Sequence, residues 1–214
     1  MFKHYPVYVA LVSCVLAPLL QGAAAAPPMG EIIGDDMYVN CAYRVAAHFP
    51  SDPKFRDINF RLGARTAPAR QFYFERPEGL LSVTVAHLPD APMIDQQLIE
   101  TAADTLRRRG EVRYDSSVWY DEPTIPGRQL NIALAQGRVL RGSVYMADHR
   151  LYITEAISEP NDFPAFLFEQ SVSLINENGT DLDSNPIGLA TNGVGTSAGL
   201  PNRQYDCGRI NRRR

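Results

Sequence analysis

The chain has 214 residues, of which 45% are hydrophobic and 21% charged. That length and balance suit one domain with extensions and exclude a chain disordered throughout. The formal net charge is −3 and the pI is near 5.8, so no global positive field gathers DNA or RNA, and no nucleic-acid partner is expected.

The N-terminus reads as an export signal. Lys3 and His4 make a short polar start, residues 7–20 (VYVALVSCVLAPLL) are apolar, and residues 21–26 (QGAAAA) are small. These are the marks of a cleavable signal peptide. Pro27 is a poor residue just after a cut, which places cleavage after Ala25, with Ala23 at position −3. The apolar run holds Pro18 and is short for a membrane span. Residues 1–25 are therefore expected to leave, with no stable span after cleavage; an uncleaved anchor is the alternative. Residues 11–14 (LVSC) loosely fit a lipoprotein cleavage box, but the apolar run continues past Cys14, where a lipoprotein turns polar. The expected location is periplasmic or secreted.

Loss of the signal leaves Cys41 and Cys207, an even number in an oxidising compartment. One reading is a Cys41–Cys207 disulfide that pins the C-terminal region to the domain, which would stabilise it by roughly 4–5 kcal/mol through loop entropy. Two free thiols, or an intermolecular bridge, are the alternatives.

The expected mature chain has three parts. Residues 26–37 form a short leader, residues 38–176 are rich in apolar and β-branched side chains, and residues 177–214 form a tail. Residues 178–202 contain no aromatic residue, so they bury too little area to offset their ordering entropy. The expectation is a flexible Gly/Asn/Ser-rich tail ending in the basic stretch RQYDCGRINRRR.

Within the middle part, residues 41–49 (CAYRVAAHF) alternate, with Tyr43, Val45, Ala47 and Phe49 on one side, as in a strand. Pro50 and Pro53 mark a turn. Residues 70–74 and 80–88 read as two strands hinged at residues 76–79 (RPEG). Residues 92–109 make the clearest helix, with Ile94, Leu98, Ala102 and Leu106 at every fourth position and Ile99 and Ala103 beside them. Asp90 is placed to cap it, Gly110 to end it, and Arg107, Arg108 and Arg109 to complement its dipole. Strand-like runs follow at residues 112–120, 128–134, 139–146 and 151–157. The polar links Gln136-Gly137 and Asp148-His149 suit hairpins, so the sheet is expected to be antiparallel. A short helix is expected over residues 162–170, and Val172 and Leu174 are placed for a last strand. The expected fold class is α+β, a mostly antiparallel sheet packed against one long and one short helix.

Residues 126–157 (PGRQLNIALAQGRVLRGSVYMADHRLYITEAI) and 164–174 (PAFLFEQSVSL) carry a resemblance. Pro-Gly-Arg opens a strand, a Gly turn leads to a Tyr-rich strand, Arg-Leu-Tyr starts the next, and a Phe-rich helix ends in Ser-x-x-Leu. The pattern resembles the C-terminal half of small exported bacterial proteins of unknown function with a PsbP-like α/β sandwich. The N-terminal strand ending in Phe49-Pro50 is similar as well. The resemblance implies a sheet packed against helices, used as a binding or accessory module. Plant and cyanobacterial members of that fold assist the oxygen-evolving photosystem; no motif here carries their metal or partner contacts over, so no site residue transfers.

Several patterns bear on chemistry. Residues 195–199 (GTSAG) match the nucleophile elbow G-x-S-x-G. Around Ser197, however, the preceding strand is weak, Leu200-Pro201-Asn202 replaces the following helix, and His4, His48, His87 and His149 all lie upstream. The match reads as chance in a Gly-rich tail. The histidines show no H-x-H or H-E-x-x-H spacing, so no metal site and no cofactor are expected. His48 and His87 are expected to face outward and His149 to be solvated in its turn. Arg65, Arg70, Arg76, Arg128, Arg138, Arg141 and Arg150 suit outward strand positions paired with carboxylates, the alternative being an anion-binding face. Trp119, Tyr120, Tyr145 and Tyr152 suit packing, or an apolar ligand groove. Arg209, Arg212, Arg213 and Arg214 form a small basic end suited to solvent, or to anionic lipid. No catalytic, cofactor-binding or metal residue is assigned. The functional expectation is an exported, non-enzymatic binding or accessory module with an envelope protein partner. The alternatives are a hydrolase whose site is assembled non-locally, and a carrier of a small apolar ligand.

Overall fold

Alternating side chains build most of the molecule. The computed structural model describes residues 30–34, 36–77, 79–92, 94–120, 125–182 and 203–212. The export signal, its cleavage site and the GTSAG stretch lie outside the described residues.

Three short strands come first: β1 (Glu31–Ile33), β2 (Met37–Asn40) and β3 (Val45–His48). Three longer ones follow: β4 (Lys54–Leu62), β5 (Arg65–Arg76) and β6 (Gly79–His87). After helix α1 (Gln96–Arg107) the chain runs through β7 (Glu111–Tyr120), β8 (Ile125–Ala133), β9 (Val139–Ala147) and β10 (Arg150–Ser158). Helix α2 (Phe163–Ser171), the two-residue strand β11 (Ser173–Leu174) and helix α3 (Cys207–Arg212) complete the fold.

The strands form two antiparallel sheets. The large one has the order β4-β5-β6-β10-β9-β8-β7, and the small one β1-β2-β3-β11. The β9–β10 hairpin is closed by Asp148 and His149, both at positive φ (50° and 57°). That backbone gives a two-residue turn whose twist matches the flanking strands. It sets the register Tyr152↔Tyr145 and Ile153↔Val144.

This register gives the large sheet two buried faces. On one, Leu151, Ile153, Leu140, Val144, Leu130 and Ile132 meet Ile99, Ala102, Ala103 and Leu106 of α1. Gly142 lets the helix approach, since a Cβ there would stand 3.1 Å from a Leu106 methyl. Burying each of Ile99 and Leu106 is worth about 1.5–3 kcal/mol. On the other face, Leu81, Val83, Val85, Tyr152 and Ala156 meet the small sheet through Tyr38, Val45, Ala47 and Leu174, and meet α2 through Ala165 and Phe168. A half-buried ion pair between Arg76 and Asp162, side chains 10% and 13% exposed, ties the start of α2 to β5.

The expected single sheet with one long and one short helix is overturned. The described residues form two sheets and three short helices, with 54% strand and 19% helix. The face expected to lie under helices is covered largely by a second sheet, because β1 and β2 pair ahead of β3. The long helix is also shorter than its apolar period suggests. Asp95, not Asp90, takes the cap, accepting from the N–H groups of Gln97 and Leu98 at 2.9 and 3.2 Å, so α1 has twelve residues. Strand β4 lies where only a turn is expected. It is an edge strand, and its charged Lys54, Arg56, Asp57 and Arg61 hide the alternation.

Of the expected tail, residues 177–182 and 203–212 are described, and both ends dock. The Tyr205 N–H donates to the Gly179 carbonyl (2.9 Å) and the Asp181 N–H to the Arg203 carbonyl (2.8 Å). Gly179 has φ 85°, and a Cβ there would fall 2.2 Å from the Tyr205 oxygen, so only glycine fits this approach. Tyr205, Cys207 and Ile210 then cover Met37, Val39 and Ala46 on the outer face of the small sheet. Cys41 and Cys207 form a disulfide across 166 residues.

Two consequences are measurable. Reduction of the Cys41–Cys207 bridge should lower unfolding stability by up to about 5 kcal/mol, read from urea melts with and without reductant; superimposable melts would contradict the strap. Asp162→Ala strands a half-buried guanidinium and should cost about 1–3 kcal/mol, between the exposed and fully buried cases, whereas a loss under 1 kcal/mol, typical of exposed pairs, would show that the pair does not hold α2.

Candidate functional site

The two sheets part at the hairpin end of β9 and β10, and a pocket of about 270 Å³ opens in the seam. Its apolar wall comes from Ile125 of β8, Ala147 of β9, Tyr152 of β10, Leu174 of β11, and Ile175 and Leu182 beyond it, with Ile94 at the mouth. Arg44, Asp148 and Asn176 form the polar rim.

Each rim residue is placed by local backbone chemistry. The Asn40 side chain accepts from the Tyr43 N–H (3.1 Å) and turns the chain after β2. Arg44 follows at φ 56°, a left-handed conformation unusual for a side chain of this size. The Arg44 carbonyl accepts from the Ile175 N–H (3.1 Å), and its guanidinium pairs with Asp148. Arg150 donates to the same Asp148 oxygen at 2.8 Å. Glu177 stands 3.5 Å from the other Arg44 nitrogen on a side chain 74% exposed.

The outer wall is a loop held from behind. The Asn176 side chain accepts from the N–H groups of Asn178 and Thr180, both at 2.9 Å, and the Leu182 N–H donates to the Leu174 carbonyl at 2.8 Å. Tyr152 is buried. Burial pushes its phenol up to about 12, against the opposing charges of Arg150 and Arg44.

Two wider depressions lie along the β4–β6 end of the large sheet. One, of about 350 Å³, is lined by Tyr43, Asp57, Asn59, Arg70 and His87. Its arginine is already engaged: Arg70 donates twice to Asp57 (2.7 and 2.9 Å) and lies 5.2 and 5.1 Å from the ring centres of Tyr43 and Phe55. These bonds lower the Asp57 pKa and raise that of Arg70. The other, of about 370 Å³, runs from Leu62 and Thr66 to Leu88 and Leu98 near the start of α1. Both are more open than the seam pocket.

The structure distributes the residues singled out by sequence widely. The backbone N–H of His48 donates to the Ser171 hydroxyl (2.8 Å), and His87 is exposed at the end of β6. His149 is half-buried rather than solvated, its Nδ1 lying 2.7 Å from the Ala91 carbonyl. Among the described residues, no group of three His, Cys, Asp or Glu side chains is arranged to hold a metal. Arg70, Arg76, Arg128, Arg141 and Arg150 pair with Asp57, Asp162, Asp115, Glu169 and Asp148. Of the aromatic residues, Tyr152 lines the pocket, Tyr145 packs over Gly127, and Trp119 is 63% exposed on β7. Arg209 pairs with Glu31 at 2.9 Å, and Arg213 and Arg214 lie outside the described residues.

Sequence reading missed Arg44 because residues 41–49 read as one unbroken strand. The available signal was Asn40, a residue that starts turns through its side chain.

The described residues form two antiparallel sheets with a ligand-sized pocket in the seam between them. No family model, no curated protein and no solved structure matches the chain. Among the described residues, no helix is long and apolar enough to cross a membrane.

The buried phenol makes a testable site marker. The folded pKa of Tyr152 lies above its ordinary value near 10. Its contribution to stability is therefore full below that value and is lost as pH rises through about 12. In a phenolate absorbance titration, Tyr152→Phe should remove one of the last tyrosines to ionise; removal of one titrating near its ordinary value would contradict this placement.

Proposed function

We propose that this chain is a non-catalytic binding module that holds the apolar part of a small ligand in the seam between its two sheets. The seam pocket carries the proposal: it is enclosed on its walls by Ile125, Ala147, Leu174, Ile175 and Leu182, and it is polar only at its rim. An apolar body with a few convergent polar groups is the usual make-up of a small-molecule site.

The rim chemistry favours binding over hydrolysis. Asp148 is already engaged by two guanidiniums, Arg44 and Arg150. Tyr152 keeps its proton at neutral pH. The export-like N-terminus supports a place in the cell envelope, where such a module would serve a protein partner.

Filling the pocket tests the proposal. Isothermal titration with octanol should show one saturable site on the wild-type protein. Ala147→Phe, whose new ring occupies the cavity, should weaken binding at least tenfold. Overpacking of this kind costs about 1–3 kcal/mol of stability, so the variant should stay folded by circular dichroism. No heat from the wild-type protein, or equal binding by the folded variant, would overturn the proposal.

A further inference from the structure

We infer that the ligand is a free, single-chain carboxylate of medium length, with its head on Arg44 and its chain in the seam. This deepens the binding reading above and rests on it.

The size of the pocket limits the chain. An apolar cavity of about 150 Å³ accepts a benzene ring, so 270 Å³ accommodates a chain of roughly ten carbons on the same scale. That leaves no room for the two tails of a membrane phospholipid.

The rim sets the head. Two guanidiniums, Arg44 and Arg150, converge on one carboxylate, Asp148. The second negative charge, Glu177, is held 3.5 Å from Arg44 by a side chain 74% exposed, and exposed pairs of this kind are weak. Arg44 therefore presents one guanidinium edge whose present partner is easily exchanged. A ligand carboxylate takes that edge with the paired N–H···O geometry that arginine favours, while Glu177 swings into solvent. A cationic head would face the Arg44 guanidinium and find Asp148 already engaged. A neutral head would gain less from the same donors.

The full-length, disulfide-bonded protein can be titrated calorimetrically with octanoate, octanol and octylammonium. Octanoate should bind at least tenfold tighter than octanol, and octylammonium weakest of the three. Arg44→Gln should abolish the preference for octanoate over octanol, read as the ratio of the two affinities on the same folded variant. Glu177→Gln, a change at an exposed side chain that leaves the fold alone, should tighten octanoate several-fold. Octanol binding equal to octanoate, or octanoate affinity unmoved by Glu177→Gln, would overturn the carboxylate inference and leave the binding module standing. No binding of any of the three would overturn both. Vesicles of phosphatidylglycerol should not retain the protein; retention that Arg44→Gln abolishes would overturn the free, single-chain assignment.

Discussion

Both faces of the large sheet are apolar, and each must be covered. That one constraint organises the molecule. A sheet of this type commonly leaves one face to water, but here β6, β9 and β10 carry buried side chains on both sides. Helix α1 covers one face, and its small Ala102 and Ala103 allow close contact. The other face is too broad for α2 alone, so the small sheet and α2 share it. A sheet of four short strands laid on a twisted sheet of seven cannot stay in contact everywhere. The seam pocket lies where the two diverge, beside the β9–β10 hairpin.

The small sheet is too slight to fold alone: its strands have three, four, four and two residues. It is fastened at three points. The Arg76–Asp162 pair holds α2 beside it, the Arg44–Asp148 pair joins its turn to the β9–β10 hairpin, and the disulfide draws α3 across its outer face. The second fastening is also the rim of the pocket. The third reaches the pocket through hydrogen bonds from Tyr205 to Gly179 and from Asp181 to Arg203, which brace the loop carrying Leu182. Structure and site are thus held by the same contacts.

Much of the large sheet is legible in the sequence because its strands are long, alternate regularly and join through short polar links. Strands β8, β9 and β10 fall within a few residues of their expected places, and the stripe of α1 identifies Ile99, Ala102, Ala103 and Leu106 as core. The small sheet is legible only in part: β3 falls inside the expected run 41–49 and β11 lies at the expected last strand, but their partners are not marked. Strands β1 and β2 are too short to show a period, and β11 pairs with a partner more than a hundred residues away in sequence. The Cys41–Cys207 pin is one of the readings the sequence offers, but the packing of Tyr205 and Ile210 is hidden because they follow a long stretch without aromatic residues. The pocket is hidden for a stronger reason. Arg44, Ile125, Asp148, Leu174 and Leu182 come from separate segments, and no local pattern marks side chains that converge only through the pairing of two sheets.

The seam between the sheets, with Arg44 at its rim, is the proposed carboxylate site. A crystal structure of the protein grown with octanoate tests it most directly. Chain density is expected between Ile125 and Leu174, with the carboxylate on the outer edge of Arg44 and Glu177 turned into solvent. A seam closed by contact between these walls, with octanoate absent or bound elsewhere on the surface, would contradict it.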